Sequence, residues 1–533
     1  MQIQQIPPQP VPQKSLHDVR VEPDAAPATP AANQVKILVK SLHVTGQTLY
    51  SETELVALTG FSPGGELTLS ELRGMGAKIA EHYRKNGYFV AQAYLPEQDV
   101  KDGAVTIAVI EGRYGKVKVR NSTKLSDGLA NGLLEGLNSG DTIAIEPLES
   151  RLLLLSDIPG VNVSSTLVPG TTVGASDLIV DVTQGQRVTG SLEADNAGNR
   201  YTGEYRYGGT VNINNPTGHG DVASLRVLTS GEGLKYGRAS YKAQFGKATA
   251  GVAYTDLEYQ LGKEFTPLLA HGTAEIRSVF GSYPFIRSRK TNLFALIEFD
   301  ARTYQDKVDV TSTVTDKKIR SGLASLYGNH RDRYGGGGLS SYSLTGVFGD
   351  LDIETPSALA ADQAVPGPHT NGNYRKLGYY ASRLQEVTDR VSLFGAINGQ
   401  FASKNLDISE KMGLGGLYGV RAYPVGEAYV DEGYTLNLEA RLLLPEFSES
   451  MPGRLHLIGF ADTGTGIRDN DEWRAGPNRR TLSGAGIGLT WADYNSFVVN
   501  TYWAHKLDNA VATSVPASVD TDSRFWIHAV KYF

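Results

Sequence analysis

The feature that most constrains this chain is a two-residue alternation that sets in near Arg187 and returns in short runs, divided by Gly, Asn, Asp, Ser and Pro, as far as Phe533. In TLNLEARLLL, Leu436, Leu438, Ala440, Leu442 and Leu444 take one face, and Thr435, Asn437, Glu439 and Arg441 take the other. Successive side chains of a strand point to opposite sides, so such a segment has one face for oil and one for water. TLSGAGIGLTW likewise sets Ala485, Ile487, Leu489 and Trp491 against Gly484, Gly486, Gly488 and Thr490, and KATAGVAY puts Ala248, Ala250, Val252 and Tyr254 on one side. A soluble sandwich alternates too, but residues 187–533 are too many for an ordinary one. At ~10 residues per membrane strand plus turns they suffice for a barrel of about sixteen strands.

No run approaches the ~18–20 apolar residues of a membrane-spanning helix, and the densest, Leu152 to Leu155, is far too short. A chain of this kind enters a bilayer core only as a closed barrel. The mean hydropathy of −0.25 fits a barrel with a wet lumen, in which about half the strand positions face lipid. The polar stretches 305–320 and 352–373 are expected as external loops.

Composition narrows the chemistry. A net charge of −6 with no basic stripe argues against nucleic acid as a partner. The absence of cysteine removes disulfides, thiolate nucleophiles and cysteine metal sites, and suits an oxidising compartment. YGGGGLSS (334–341) lacks the Lys-Ser/Thr ending of a phosphate-cradling loop and reads as strand and turn. The ten histidines show no H-E-x-x-H spacing, and no catalytic pairing stands out among the 57 acidic residues. No enzyme activity, cofactor or metal is therefore expected. MQIQQIPPQP has neither a basic nor an apolar leader region, so no secretory signal is read there.

The front third has a different texture. Residues 1–34 carry prolines at 7, 8, 10, 12, 23, 27 and 30 and read as an extended linker in which the first four prolines oppose a helix. Residues 35–112 then begin with the strand-like VKILVKSLHVTG. A helix follows with a capping box at Thr68 and Glu71, apolar positions at Leu69, Leu72, Met75, Ile79 and Tyr83, and a stop at Gly87. Strand candidates at 90–100 and 104–115 complete a β-α-α-β-β order. Residues 113–186 repeat that order, with a strand at 115–121, helices at 124–137 and 146–156, and two further strands.

Taken together, YRKNGY, VTIAVIEGRYGKVKV, GVRAYPVGEAYVDEGY (419–434) and RLHLIGFADTGTG (454–466) resemble the TpsB transporters of two-partner secretion. The resemblance implies a mainly β chain: a Pro-rich N-terminal segment (1–34) that is a possible plug remnant, α+β POTRA domains at 35–112 and 113–186, and a sixteen-stranded transmembrane β-barrel at 187–533. It also implies a lumenal loop at about 412–434, whose Val420, Arg421, Ala422 and Tyr423 meet a strand carrying Phe460, Asp462 and Gly464. Arg421 is then expected to pair with Asp462. Ala422 departs from the glycine more usual in the family. Phe533, ending SRFWIHAVKYF, resembles a C-terminal outer-membrane barrel signal, with Lys531 breaking its pattern.

The implied function is secretion of an exoprotein bearing an N-terminal secretion domain, by a monomer in the bacterial outer membrane with its POTRA domains in the periplasm. Outer-membrane lipids, and the barrel-assembly machinery during biogenesis, are the other implied partners. An outer-membrane assembly factor and a passive porin or receptor are the alternatives.

Overall fold

The computed structural model describes residues 20–21, 35–446 and 452–533, which divide into two compact units, one centred on residues 14–185 and one on 186–533. Residues 1–19 and 22–34, nearly all of the Pro-rich segment that the resemblance implies is a possible plug remnant, lie outside the described residues.

The larger unit is a closed barrel of sixteen antiparallel strands, each bonded to its sequence neighbour. They are Val188–Asp195 (β1), Arg206–Asn214 (β2), Val222–Thr229 (β3), Leu234–Phe245 (β4), Ala248–Gln260 (β5), Ala270–Arg287 (β6), Thr291–Val308 (β7) and Thr313–Asp332 (β8). Gly338–Ile353 (β9), Gly372–Glu386 (β10), Val391–Ala402 (β11), Glu432–Leu443 (β12), Arg454–Ile467 (β13), Arg479–Asp493 (β14), Phe497–Lys506 (β15) and Ser523–Tyr532 (β16) follow. The alternation does what it implies. Leu438, Leu442, Ile487, Leu489, Trp503 and Phe525 are exposed on the outside, while Glu439, Asp462, Thr490 and Trp526 are buried within. No described helix is long and apolar enough to cross a membrane.

β1 closes the barrel against β16, with Ser191 opposite Tyr532 and Asp195 opposite His528. Phe533 extends this seam: its backbone N–H donates to Gly190 O at 3.1 Å, and its carbonyl accepts from Gly190 N at 2.9 Å. A β-carbon at Gly190 would collide with the Phe533 ring, so glycine lets the terminal aromatic lie across the seam. Lys531 shares the outward face but turns its ammonium to Ser496 Oγ at 2.6 Å and to the Phe497 ring, so its charge finds a partner instead of lipid.

One expectation fails here. Residues 305–320 are not a loop: 305–308 finish β7, 313–320 begin β8, and only a tight turn at Asp309–Thr311 joins them. Ladder pairing continues past the point where the outer face needs to be apolar, so these polar residues are strand residues all the same. The stretch 352–373 does hold a connection, from Ile353 to Gly372, with a short helix at Pro356–Asp362.

The smaller unit holds two cores of ordinary apolar kind. The first gathers Val39, Leu55, Leu72, Ile79, Tyr83 and Ile107, and the second Ala130, Leu133, Leu148, Leu155, Val180 and Val182, among others. Helix Leu69–Lys85 starts at Thr68 with both halves of the capping box formed, Thr68 N donating to Glu71 at 2.7 Å and Glu71 N to Thr68 at 3.2 Å. The first repeat is more broken than its sequence suggests. Its opening run splits into Lys36–Val39, paired with Gly65–Thr68, and Ser41–Thr45, paired in parallel with Ala104–Ile110. The strand expected at 90–100 is only Gln92–Tyr94, since Pro96 interrupts it. The second repeat keeps the order read from sequence, with helices at Asp127–Leu133 and Ile145–Ser156. Its Val161–Pro169 edge takes a short parallel strand from the linker, Arg20–Val21.

Glu111 joins the front unit together. Its buried carboxylate accepts from Thr48 N, Thr48 Oγ1, Leu49 N and Tyr83 Oη, and Arg113 binds it at 3.3 Å while reaching Gly140 O of the second repeat at 2.9 Å. Burial alone raises this carboxyl's pKa, but the bonds from Thr48, Leu49 and Tyr83 outweigh it and hold the group below the ordinary glutamate value.

Candidate functional site: a loop latched inside the barrel

Between Ala402 and Glu432 the chain turns inward instead of making a short turn. Met412–Gly413 pairs with Tyr429–Val430 as a small hairpin, and the tip beyond it is tightened by bonds such as Val420 N to Leu414 O at 2.8 Å. Gly415 and Gly419 are obligatory here, since a β-carbon on either would strike a backbone carbonyl at 2.6 or 2.2 Å. Residues 432–434, placed in the loop from sequence, already belong to β12.

At the tip, Val420, Arg421, Ala422 and Tyr423 are all buried, Arg421 being 4% exposed. The guanidinium grips Asp462 of β13 with both ends of the carboxylate, Nε to Oδ2 at 2.8 Å and Nη2 to Oδ1 at 2.8 Å, and the Arg421 backbone N–H adds a third bond at 3.1 Å. Nη1 reaches Glu439 of β12 at 2.8 Å, and Glu439 also binds Arg441 at 2.7 Å. Two guanidiniums thus meet two carboxylates. A planar fork suits this bidentate grip as an ammonium would not. Phe460 lies against the guanidinium with its ring centroid at 3.6 Å, and Tyr502 of β15 at 4.9 Å, so the charge is held between aromatic rings as well as carboxylates. Trp526 of β16 donates to the Arg421 carbonyl at 2.7 Å.

Small residues make the room. Gly464 of β13 leaves space for Val420 and Thr435, and Gly484 of β14 faces the Ala422 methyl so closely that an added β-carbon would sit 2.5 Å from it. The alanine that departs from the usual family loop is therefore received by a notch in the wall, in a strand whose inward face reads Gly484, Gly486, Gly488. Tyr423 donates to Asp508 and to Ala510 O, the latter at 3.1 Å.

The structure brings together every residue named for this site from sequence except Phe533, which lies at the seam. Glu439, Asn437, Tyr502, Gly484 and Trp526 were missed. For Asn437 and Glu439 a signal existed, because both stand on the water side of TLNLEARLLL. For Trp526 none did, because its partner is a backbone carbonyl 105 positions away. Beside the loop a cavity of about 1520 Å³ remains, lined by Arg206, Arg238, Glu298, Tyr418 and Tyr502 among others.

Residues 174–491, well over half the chain, match the family described as haemolysin secretion/activation protein ShlB/FhaC/HecB, and residues 37–112 match the POTRA domain of ShlB type. The chain belongs to this secretion family. It is 31% identical over 480 residues to the heme/hemopexin transporter protein HuxB of Haemophilus influenzae, covering 88% of this chain and 82% of that one. To the outer membrane transporter CdiB of Dickeya dadantii it is 23% identical, over 72% and 68% of the two chains. The solved structure of CdiB from Escherichia coli superposes with a TM-score of 0.70 at 21% identity, covering 95% and 93%, which shows the same fold. The protein is thus an outer-membrane transporter of the two-partner secretion class, with periplasmic POTRA domains and a secreted partner protein. Its family is one of transporters, not enzymes.

Proposed function

We propose that this transporter takes one large exoprotein in unfolded form, receives its N-terminal secretion domain on the POTRA unit, and passes it through the barrel without nucleotide hydrolysis. The observation that carries the reading is the inturned loop, whose Arg421 is bound to the wall inside the lumen and must move if a chain is to pass. A passive porin has no use for such a latch, nor for tandem periplasmic domains. Folding of the exoprotein outside supplies direction.

Docking by strand addition has support in the front unit. The Val161–Pro169 edge already accepts a strand, but Arg20–Val21 covers only Thr166 and Leu167, leaving the rest of that edge without a strand partner among the described residues. Backbone bonding of this kind holds extended chains with modest demands on their sequence. The outward apolar belt meets outer-membrane lipid, and Phe533 presents the C-terminal signal to the barrel-assembly machinery.

The test uses residues 35–186, which carry both apolar cores, and a longer fragment from residue 14. Each is titrated with an unfolded exoprotein secretion domain. Binding, tighter for the shorter fragment with its uncovered edge, supports the reading. Absence of binding by both sinks POTRA docking.

A further inference from the structure

We propose that the lumenal loop has a second latch, centred on Glu410, which ties its stem to a different arc of the barrel wall from the one that holds Arg421. This inference rests on the loop being the element that closes the lumen.

Glu410 lies in the descending limb, eleven residues before Arg421, and is 4% exposed. Its two carboxylate oxygens are divided between two cations: Oε1 binds Arg302 of β7 at 2.7 Å, and Oε2 binds Lys376 of β10 at 2.6 Å. Lys376 also donates to the Glu410 carbonyl at 3.0 Å, so side chain and backbone are held by one ammonium. Three residues earlier, Asp407 binds Lys317 of β8 at 3.1 Å. Beside these pairs, Leu406 packs with Tyr304, Ile319, Leu351 and Tyr374 of the wall in one buried apolar cluster.

The tip, by contrast, is bound to β12, β13 and β16 and seated against β14. The loop is therefore fastened at both ends to separate stretches of wall. An element pinned at one point pivots about it, whereas one pinned at two stays across the lumen when either is released. Glu410 acts as a positioning residue: it touches no passing chain but fixes where the stem lies. Freeing Arg421 alone lets the tip move and leaves the stem in the path. A cleared lumen needs both latches open.

The absence of cysteine allows paired spin labels to be placed without background thiols. One pair, Ile408→Cys with Leu344→Cys on the outer face of β9, reports the stem. The other, Tyr418→Cys with Leu438→Cys on the outer face of β12, reports the tip. Glu410→Gln is expected to broaden the stem distances and leave the tip distances narrow, and Arg421→Ala to do the reverse. Conductance in planar bilayers should rise partly in each and fully only in the double variant. If Glu410→Gln leaves the stem narrow, or Arg421→Ala alone broadens both pairs, the second latch does not exist. Should Glu410→Gln fail to assemble, as judged by the heat-shifted mobility of the barrel on a gel, Lys376→Gln keeps Arg302 on the carboxylate. It should give a smaller broadening of the stem pair, and no broadening would overturn the proposal. Secretion assayed on the same variants judges the transport reading separately, since narrow stem distances contradict the latch whatever the secreted yield.

Discussion

In the periplasmic unit the side chains farthest from water are Leu55, Ile79, Tyr83, Ile107 and Leu155, whereas in the barrel they include Arg421, Glu427, Asp431 and Asp462. Many of the barrel's leucines and phenylalanines, such as Leu438, Leu442 and Phe525, are on the outside, while Leu482, Phe460 and Trp526 pack beside these charges within. The same alternating strands serve both, so what differs is the solvent on each face. An apolar core is held by area and volume, and tolerates exchanges that keep both. An ionic interior is held by direction: each group needs its own partner at one distance, and loss of one member leaves a buried charge without compensation. The barrel should therefore be sensitive to the identity of single side chains, and the POTRA cores to their size.

The largest effect expected is at the latch. Arg421→Ala strands Asp462 in the lumen, and removing one partner of such a pair costs about 3–5 kcal/mol. Loop anchoring, followed by protease sensitivity of residues 403–431, should fall sharply, and Arg421→Lys should restore little of it. Resistance equal to the parent would break the contrast.

Next comes the apolar core. Leu155 is fully buried, and Leu155→Ala should destabilise the front unit by about 2–5 kcal/mol, while Leu155→Met should cost less than about 1.5 kcal/mol. Urea unfolding of the fragment from residue 14 to residue 186 measures both, and equal losses would remove the distinction between size and identity.

A smaller effect, of about 1–3 kcal/mol by overpacking, is expected for Gly484→Ala, whose new methyl meets Ala422. Ala422→Gly on the same chain should relieve it, and an additive loss in thermal melting of the barrel would show that the notch does not receive the loop.

The smallest is a pH effect. Glu111 has a depressed pKa in the fold, so its contribution is full above the ordinary glutamate value and is lost as pH falls through the lower folded value. Stability of the front unit should decline below pH ~4.5 and less steeply in Glu111→Gln. Parallel pH curves would assign the decline to other carboxylates.

How much of this was legible follows the same division. The two-residue period exposed the barrel because lipid on one side and water on the other impose it locally, residue by residue. Where polar groups occupy both faces, as at 305–320, the period vanishes although the strands continue. Arg421 and Asp462 were found through the family resemblance, the one in a loop marked by glycines and a proline and the other on a strand face that its own charge makes lumenal. Glu410, Glu427 and Trp526 gave no sign. Glu427 binds Arg480 at 2.9 Å and the backbone of Thr513 and Ser514, partners set by the closing of the barrel and not by spacing along the chain. The Arg20–Val21 strand was hidden for a related reason, since its pairing depends on the edge it joins.

The central claim is that a bond between Arg421 and Asp462 holds the tip of the loop against the wall inside the barrel. Single-channel recording of the reconstituted protein tests it most directly. Arg421→Ala and Asp462→Ala should each raise conductance, Arg421→Ala at least as much because it also frees Glu439, and the double variant should go little higher than Arg421→Ala, because both break the same pair. Conductance unchanged from the parent in both single variants, or increments that add in the double, would contradict it.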